Sequence, residues 1–220
     1  MSRSLPNTPR SEGHFNRRIW SEIQHALKDV GRAHEPLIFA HFQPHAHATA
    51  RLARRFASYL FGDGHYHGWL DEIEFAAYMH DVGKYFIAPE ILLKPDMLDE
   101  EERKIMSLHP VYGALAVSKL PAVTTLIHSV TLHHHEYWNG MGYPDGLSGQ
   151  SIPLEARIVA ISDVYTSLRA RRTYKPTLSK EESASALRRM AGRELDPSLV
   201  EDFLRVFERR DAFRRGMWQL

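Results

Sequence analysis

The sequence predicts an all-α protein, a single helical bundle, and three observations carry that prediction. Apolar residues recur at three- and four-residue intervals through most of the chain. Alternating apolar–polar runs, which strands need, are essentially absent. Turn-forming residues gather between the periodic stretches. A chain of 220 residues suits one domain that buries its own core.

Residues 1–13 are polar, contain two prolines and read as a disordered tail. Residues 14–36 read as an N-terminal helix, because Phe15, Ile19, Ile23 and Leu27 share one face. Packing is its simplest role, with a dimer contact or a linker remnant as alternatives. Pro44 suits the first turn of the next helix, where a missing N–H costs nothing. That helix runs to about Phe61 with Leu52, Phe56 and Leu60 inward, and His45, seven residues before Leu52, points the same way. Residues 62–68 form a loop. A helix from about Trp69 to Val82 places Leu70, Ile73, Ala76, Ala77 and His80 on its inner face, with Gly83 at or beyond its end. Residues 85–98 hold two prolines and short apolar pieces. Asp99 opens a helix to about Leu108, with glutamates in the first turn where the helix dipole favours them. Further helices are predicted at 110–119, 122–135, 153–170, 179–191 and 197–210, and residues 211–220 form a C-terminal tail.

Composition narrows the chemistry. The chain has no cysteine, which excludes disulfides, thiolate metal sites and thiol nucleophiles. Any metal must be held by nitrogen and oxygen, which suits zinc, iron, manganese or magnesium. Lysine plus arginine number 28 and aspartate plus glutamate 27, a formal charge of +1, so no global field favours a nucleic-acid polymer. No apolar run approaches the ~20 residues of a membrane span. The first residues lack the apolar core of a signal peptide. The expectation is a cytoplasmic protein with no membrane span.

Histidine is the unusual residue, at 14. Clusters stand at His41, His45 and His47, at His65 and His67, and at His133, His134 and His135. Four candidate ligand groups fall at or near the ends of inward helix faces: His80-Asp81, His109, His134-His135 and Asp163. Asp163 lies four residues after Val159 on an apolar face, and an ion there is costly to bury unless paired. Its partner is either a divalent metal or an arginine such as Arg157 or Arg169. A lone His80 would read as a core histidine. Four such groups together read as a metal site.

Three segments, AAYMHDVGKYFIAPEILLKPDMLDEEE, MSLHPVYGA and HHEYWNGMGYPDGLSGQSIPLEARIVAISDVYTSLRARRTYK, resemble the HD-GYP subgroup of the HD phosphohydrolase superfamily. The resemblance covers roughly residues 37–206. It implies an all-helical catalytic domain over 37–210 with a bi- or trinuclear metal centre. It also implies hydrolysis of cyclic di-GMP to linear pGpG, and in many members on to GMP, so the final product is left open between the two. It puts metal ligands on His80, Asp81, His109, His134, His135 and Asp163, the motif lysine on Lys84, and phosphate-binding groups on Arg172 and Lys175. The GYP segment falls on Gly142, Tyr143 and Pro144.

The first histidine ligand is His45 or His47. The family pattern wants apolar residues seven, eight, eleven and twelve positions later. His45 supplies Leu52, Ala53, Phe56 and Ala57, whereas His47 supplies Arg54 and Arg55 at the first two. His45 is the choice and His47 the fallback. Asn139, Thr166 and Thr173 depart from the family pattern, and none is an assigned ligand. Trinuclear members carry a glutamate where His41 stands, and Pro44 argues against continuous helix between His41 and His45. Two divalent ions, iron or manganese, are therefore expected, with a third left open.

On this reading the ions share a water, lower its pKa toward neutrality, and the bridging hydroxide attacks phosphorus. Asp81 and Lys84 are the catalytic pair, with Lys84 also binding the substrate phosphate or protonating the leaving oxygen. Arg172 and Lys175 clamp the second phosphate, Tyr143 stacks on guanine or bonds a phosphate, and Glu136 orients a histidine or balances charge. Two rivals stay open: a non-catalytic nucleotide-binding or protein-interaction module, and a phosphohydrolase for another cyclic nucleotide. The pattern begins near residue 37, leaving little room for a sensory domain, so the expectation is either an enzyme unregulated by its own chain or one controlled by a partner protein, with a homodimer also open.

Overall fold

In a computed structural model the described residues are 35–62, 67–120, 123–170 and 177–208, and the side chains of 35–42, 67, 207 and 208 fall outside that set. The predicted tails, most of the predicted helix over 14–36, and Arg172 and Lys175 lie outside the described residues. The described chain is helical. In order it forms α1 (Glu35–Phe61), α2 (His67–Met79), a 3-10 turn (Val82–Phe86), α3 (Pro89–Leu92), α4 (Glu100–Met106), α5 (His109–Val117), α6 (Thr125–His133), a second 3-10 turn (Gly149–Ser151), α7 (Leu154–Arg169), α8 (Lys180–Met190) and α9 (Pro197–Glu208). Two isolated bridges, Asn139 with Ser148 and Ala191 with Leu195, are the β-type pairings among the described residues.

Helix α1 packs on α2 and α7, α2 on α6, and α6 on α5 and α7. Their shared core includes Leu52, Phe56, Ile73, Ile127, Ile158 and Ile161, all with no exposure. Helices α8 and α9 close one side. Phe203 of α9 meets Phe56 edge-on at 5.1 Å and Tyr165 at 5.2 Å. Two helix starts follow from sequence alone. Asp99 with Glu102, and Ser179 with Glu182, form reciprocal capping boxes that satisfy backbone N–H groups with no intrahelical partner. No helix among the described residues is long and apolar enough to cross a membrane.

Three expectations need correction. Pro44 lies inside α1, nine residues past its start, rather than in a first turn. The ring removes one helical hydrogen bond at a cost of roughly 3 kcal/mol. Burial of Ala50, Leu52, Ala53, Phe56 and Ala57 against the core outweighs that loss. His41 and His45 therefore stand one turn apart on continuous helix, and the backbone argument against a third ligand there falls away. Secondly, α2 ends at Met79, three residues early, so His80 and Asp81 occupy the turn before the 3-10 segment. Gly83 sits within that segment rather than capping α2. A Cβ on it would lie 1.8 Å from the His109 carbonyl oxygen, so only glycine lets the segment meet α5 this closely. Thirdly, the short helix α3, with Pro89 at its first position, was not anticipated.

Candidate metal centre

Helix ends and two helix middles converge to build the centre. Helix α1 supplies His45, the turn after α2 supplies His80 and Asp81, and the first residue of α5 is His109. The C-terminal end of α6 gives His134 and His135, and α7 gives Asp163. His80, His109 and His134 are each 3% exposed or less. Two groups of nitrogen and oxygen donors lie within 4.8 Å of one another: Asp81, His109, His134 and His135, and separately His45, His80 and Asp81. Asp81 belongs to both. Asp163 joins the second group, with its Oδ1 2.7 Å from His45 Nε2 and 3.6 Å from His80 Nε2.

The backbone fixes how the imidazoles face. His80 Nδ1–H donates to the Ala77 carbonyl at 2.6 Å, His109 Nδ1–H to Met106 at 2.8 Å, and His134 Nδ1–H to Val130 and Thr131 at 3.1 Å. A carbonyl only accepts, so each Nδ1 carries a proton and each Nε2 faces the centre, where a neutral ring would offer a lone pair to a cation. His109 Nε2 and His134 Nε2 face each other at 3.2 Å, and in neutral rings protonated at Nδ1 these are two opposed lone pairs. Two buried atoms, His80 Nε2 and Asp81 Oδ1, make no well-directed hydrogen bond, although they lie 3.3 Å from Asp81 Oδ2 and 3.2 Å from His109 Nε2. Buried donors and acceptors are seldom left so. Opposed lone pairs and an orphaned carboxylate oxygen are what a cation would satisfy, and the donor set fits a divalent metal.

The electrostatics agree. Burial opposes charge on His80, but Asp81 and Asp163 outweigh it and push its pKa up to about 10. Without a metal the two aspartates thus hold a proton on His80, at the place where a divalent ion would supply the positive charge and displace that proton. Burial also opposes charge on both aspartates. Lys84 and His80 outweigh it at Asp81, and His45 and His80 do so at Asp163, so both are held well below the usual carboxylate range. Burial lowers His134 to about 4 and carries His135 well below its ordinary value, which keeps both neutral as ligands require.

Of the two candidates on α1, His45 is the one in the cluster. His47 instead tilts against Tyr78 at 4.7 Å. The two arginines that the sequence offers as partners for Asp163 are engaged elsewhere. Arg157 binds Asp196 at 2.7 Å and Arg169 donates to the Leu178 carbonyl at 2.5 Å. Lys84 Nζ donates to Asp81 Oδ2 at 2.6 Å, which holds its ammonium beside the cluster. Tyr143 stacks on His135, ring centres 5.0 Å apart at 30°. Burial first, then Tyr137, Asp81 and Asp163, raises its hydroxyl pKa, so it stays a neutral phenol.

Glu136 does not orient a histidine. Its two carboxylate oxygens accept from the N–H groups of Asp145 and Leu147 at 2.7 and 3.0 Å. Asn139 Oδ1 accepts from Met141 N at 3.0 Å, closing a turn. Thr49 and Thr166, which sequence reasoning passed over as partners, share a buried hydroxyl bond at 2.8 Å. Thr49 Oγ1 also stands 3.5 Å from His45 Nε2. The only clue in the sequence was Thr49 at helical spacing, four residues after His45.

An all-helical fold around a buried histidine–aspartate cluster defines a class of metal-binding helical domains. The chain belongs to the HD domain family, which matches residues 32–199. Its HHE and GYP elements, within residues 134–144, mark the HD-GYP subgroup. A probable cyclic di-GMP phosphodiesterase of Vibrio cholerae is 35% identical over 85% of this chain and 44% of its own length. The cyclic di-GMP phosphodiesterase response regulator RpfG of Xanthomonas campestris is 43% identical over 60% of this chain and 35% of its own. Among solved structures, an HDG"Y"P protein from Bdellovibrio bacteriovorus superposes with a TM-score of 0.62 at 16% identity, over 88% of this chain and 63% of that one. The chain spans less than half the length of the curated relatives described here.

Proposed function

We propose that residues 37–210 form the catalytic domain of a metal-dependent phosphodiesterase that acts in the cytoplasm and hydrolyses cyclic di-GMP to pGpG and on to GMP. The observation that carries this reading is Asp81 shared by two donor groups, with the Nε2 atoms of His80, His109 and His134 converging on it. Asp81, His109, His134 and His135 would hold one divalent ion, and His45, His80, Asp81 and Asp163 the other. Iron or manganese suits such nitrogen–oxygen donors. When bound, such ions supply Lewis acidity to a phosphoryl group and acidify water.

The remaining work falls to the chain's own groups. The Lys84 ammonium, placed by Asp81, meets a phosphate oxygen or gives a proton to the leaving 3′ oxygen. The Tyr143 ring, fixed against His135, offers a flat apolar face to a guanine, and its neutral hydroxyl can donate to phosphate. Arg172 and Lys175 bind the second phosphate, arginine in a forked pair. The relatives named as cyclic di-GMP phosphodiesterases support this substrate.

A second reading has its own support. A Vibrio cholerae relative that is 37% identical over 67% of this chain is named a 3′3′-cGAMP-specific phosphodiesterase. The test is a panel: iron- or manganese-loaded protein with cyclic di-GMP, 3′3′-cGAMP and cyclic di-AMP, products resolved by chromatography. Fastest loss of cyclic di-GMP, with pGpG appearing, is the expected result. Preference for 3′3′-cGAMP would move the chain to the second reading. No turnover by the metal-loaded protein would leave a non-catalytic nucleotide-binding module.

A further inference from the structure

We infer that Glu136, with His133, is a positioning residue that clamps the Tyr143 loop over the centre and so sets substrate affinity. This deepens, and rests on, the phosphodiesterase reading. The run His133-His134-His135-Glu136 divides by direction. Its inner pair faces the donor cluster. Its outer pair grips the loop that carries Tyr143. Glu136 is 3% exposed, and among the described residues no basic side chain meets it. A buried carboxylate must find compensation, and it finds it in the amides of Asp145 and Leu147. His133 Nε2 takes the other end of Asp145, 3.0 Å from its Oδ2. The loop is thus held at its downstream side by two side chains from the turn that presents His134 and His135.

Its upstream side is held by backbone. Tyr143 N–H donates to the His135 carbonyl at 3.1 Å. Gly142 permits this approach, since a Cβ there would meet Tyr137 N at 2.2 Å. Loop and histidine pair therefore form one rigid piece, and the height of the Tyr143 ring above His135 depends on it. Loosening the Glu136 contacts frees residues 145–147, and with them the setting of the Tyr143 ring, while His134 keeps its own backbone anchors at Val130 and Thr131.

The experiment uses the full chain with Glu136→Ala and Glu136→Gln, each loaded with manganese. Three quantities are read: bound metal, amide exchange at Asp145 and Leu147, and KM with kcat for cyclic di-GMP. Glu136→Ala should speed exchange at both amides and leave metal content unchanged. It should raise KM about tenfold with a smaller change in kcat, because a misplaced contact group weakens binding first. Glu136→Gln keeps one acceptor oxygen and should fall between, and it carries the test where the alanine variant does not fold. Loss of metal would overturn the inference, since Glu136 would then act on the histidines. Faster exchange with unchanged KM would also overturn it, leaving a merely structural turn. Should the wild type not hydrolyse cyclic di-GMP, the phosphodiesterase reading fails by itself, and the dissociation constant for that nucleotide replaces KM in the same comparison.

Discussion

Gly83→Ala tests how tightly the centre is built. The added methyl would lie 1.8 Å from the His109 carbonyl oxygen and 2.6 Å from Gly113 N. Both are backbone atoms, so no side chain can step aside. Reaching even a 3.0 Å approach needs the 3-10 turn and α5 to separate by at least about 1.2 Å. That turn follows Asp81 and carries Lys84, and α5 opens with His109. The variant thus parts His109 from Asp81, which now lie 3.2 Å apart. Functional groups must be held to within about 0.5 Å, and a 1 Å error can cost ~100-fold. We expect Gly83→Ala to lose about two orders of magnitude in turnover and to bind less than the full metal complement. Overpacking should cost roughly 1 to 3 kcal/mol of stability. The assay pairs elemental analysis with cyclic di-GMP turnover and thermal unfolding. Gly68→Ala is the control: its Cβ meets nothing within 4 Å, so it should keep full activity and lose no stability. A Gly83→Ala protein with wild-type metal content and rate would refute the close-approach argument.

Phe203 fills the junction of α9 with Phe56 and Tyr165, so Phe203→Ala should cost about 3 to 5 kcal/mol, read by urea unfolding. At Asp196 burial works to raise the pKa, but hydrogen bonds from Ser198, Arg157 and the Leu199 and Ser198 amides outweigh it and lower it. A lowered carboxylate stabilises the fold above its ordinary pKa near ~3.9, and the contribution drains away as pH falls through the depressed folded value. Asp196→Asn should therefore be less stable at neutral pH and show a flatter acid limb below about pH 5 in pH-dependent unfolding. Ser179→Ala removes the cap of α8 and should cost about 1 kcal/mol, measured by thermal melting.

The helices were legible because their apolar periods and caps are local. Asp99 and Ser179 announce their own helix starts. Pro44 misled because its local cost is visible in sequence, while the buried face of α1 that outweighs it is a sum over distant partners. The same division runs through the centre. The histidines and aspartates at inward positions were legible as a set, and His45 was separable from His47 by the apolar residues that follow each. Glu136 was not, since its partners Asp145 and Leu147 lie nine and eleven residues on, at the far side of a loop whose path no periodicity encodes. Gly83 and Gly142 likewise read as turn residues until the backbone atoms beside them are seen.

The central claim is that Asp81 joins two donor groups into one metal centre that cleaves a cyclic dinucleotide. The most direct measurement is metal content and cyclic di-GMP turnover, side by side, for anaerobically purified wild type and Asp81→Ala. The account predicts about two iron or manganese ions per wild-type chain with conversion to pGpG, by the two-ion chemistry such sites support. In Asp81→Ala both metal binding and turnover should collapse together. Wild-type turnover in Asp81→Ala, or no loss of cyclic di-GMP from the wild type with iron, manganese, cobalt or nickel, would contradict it.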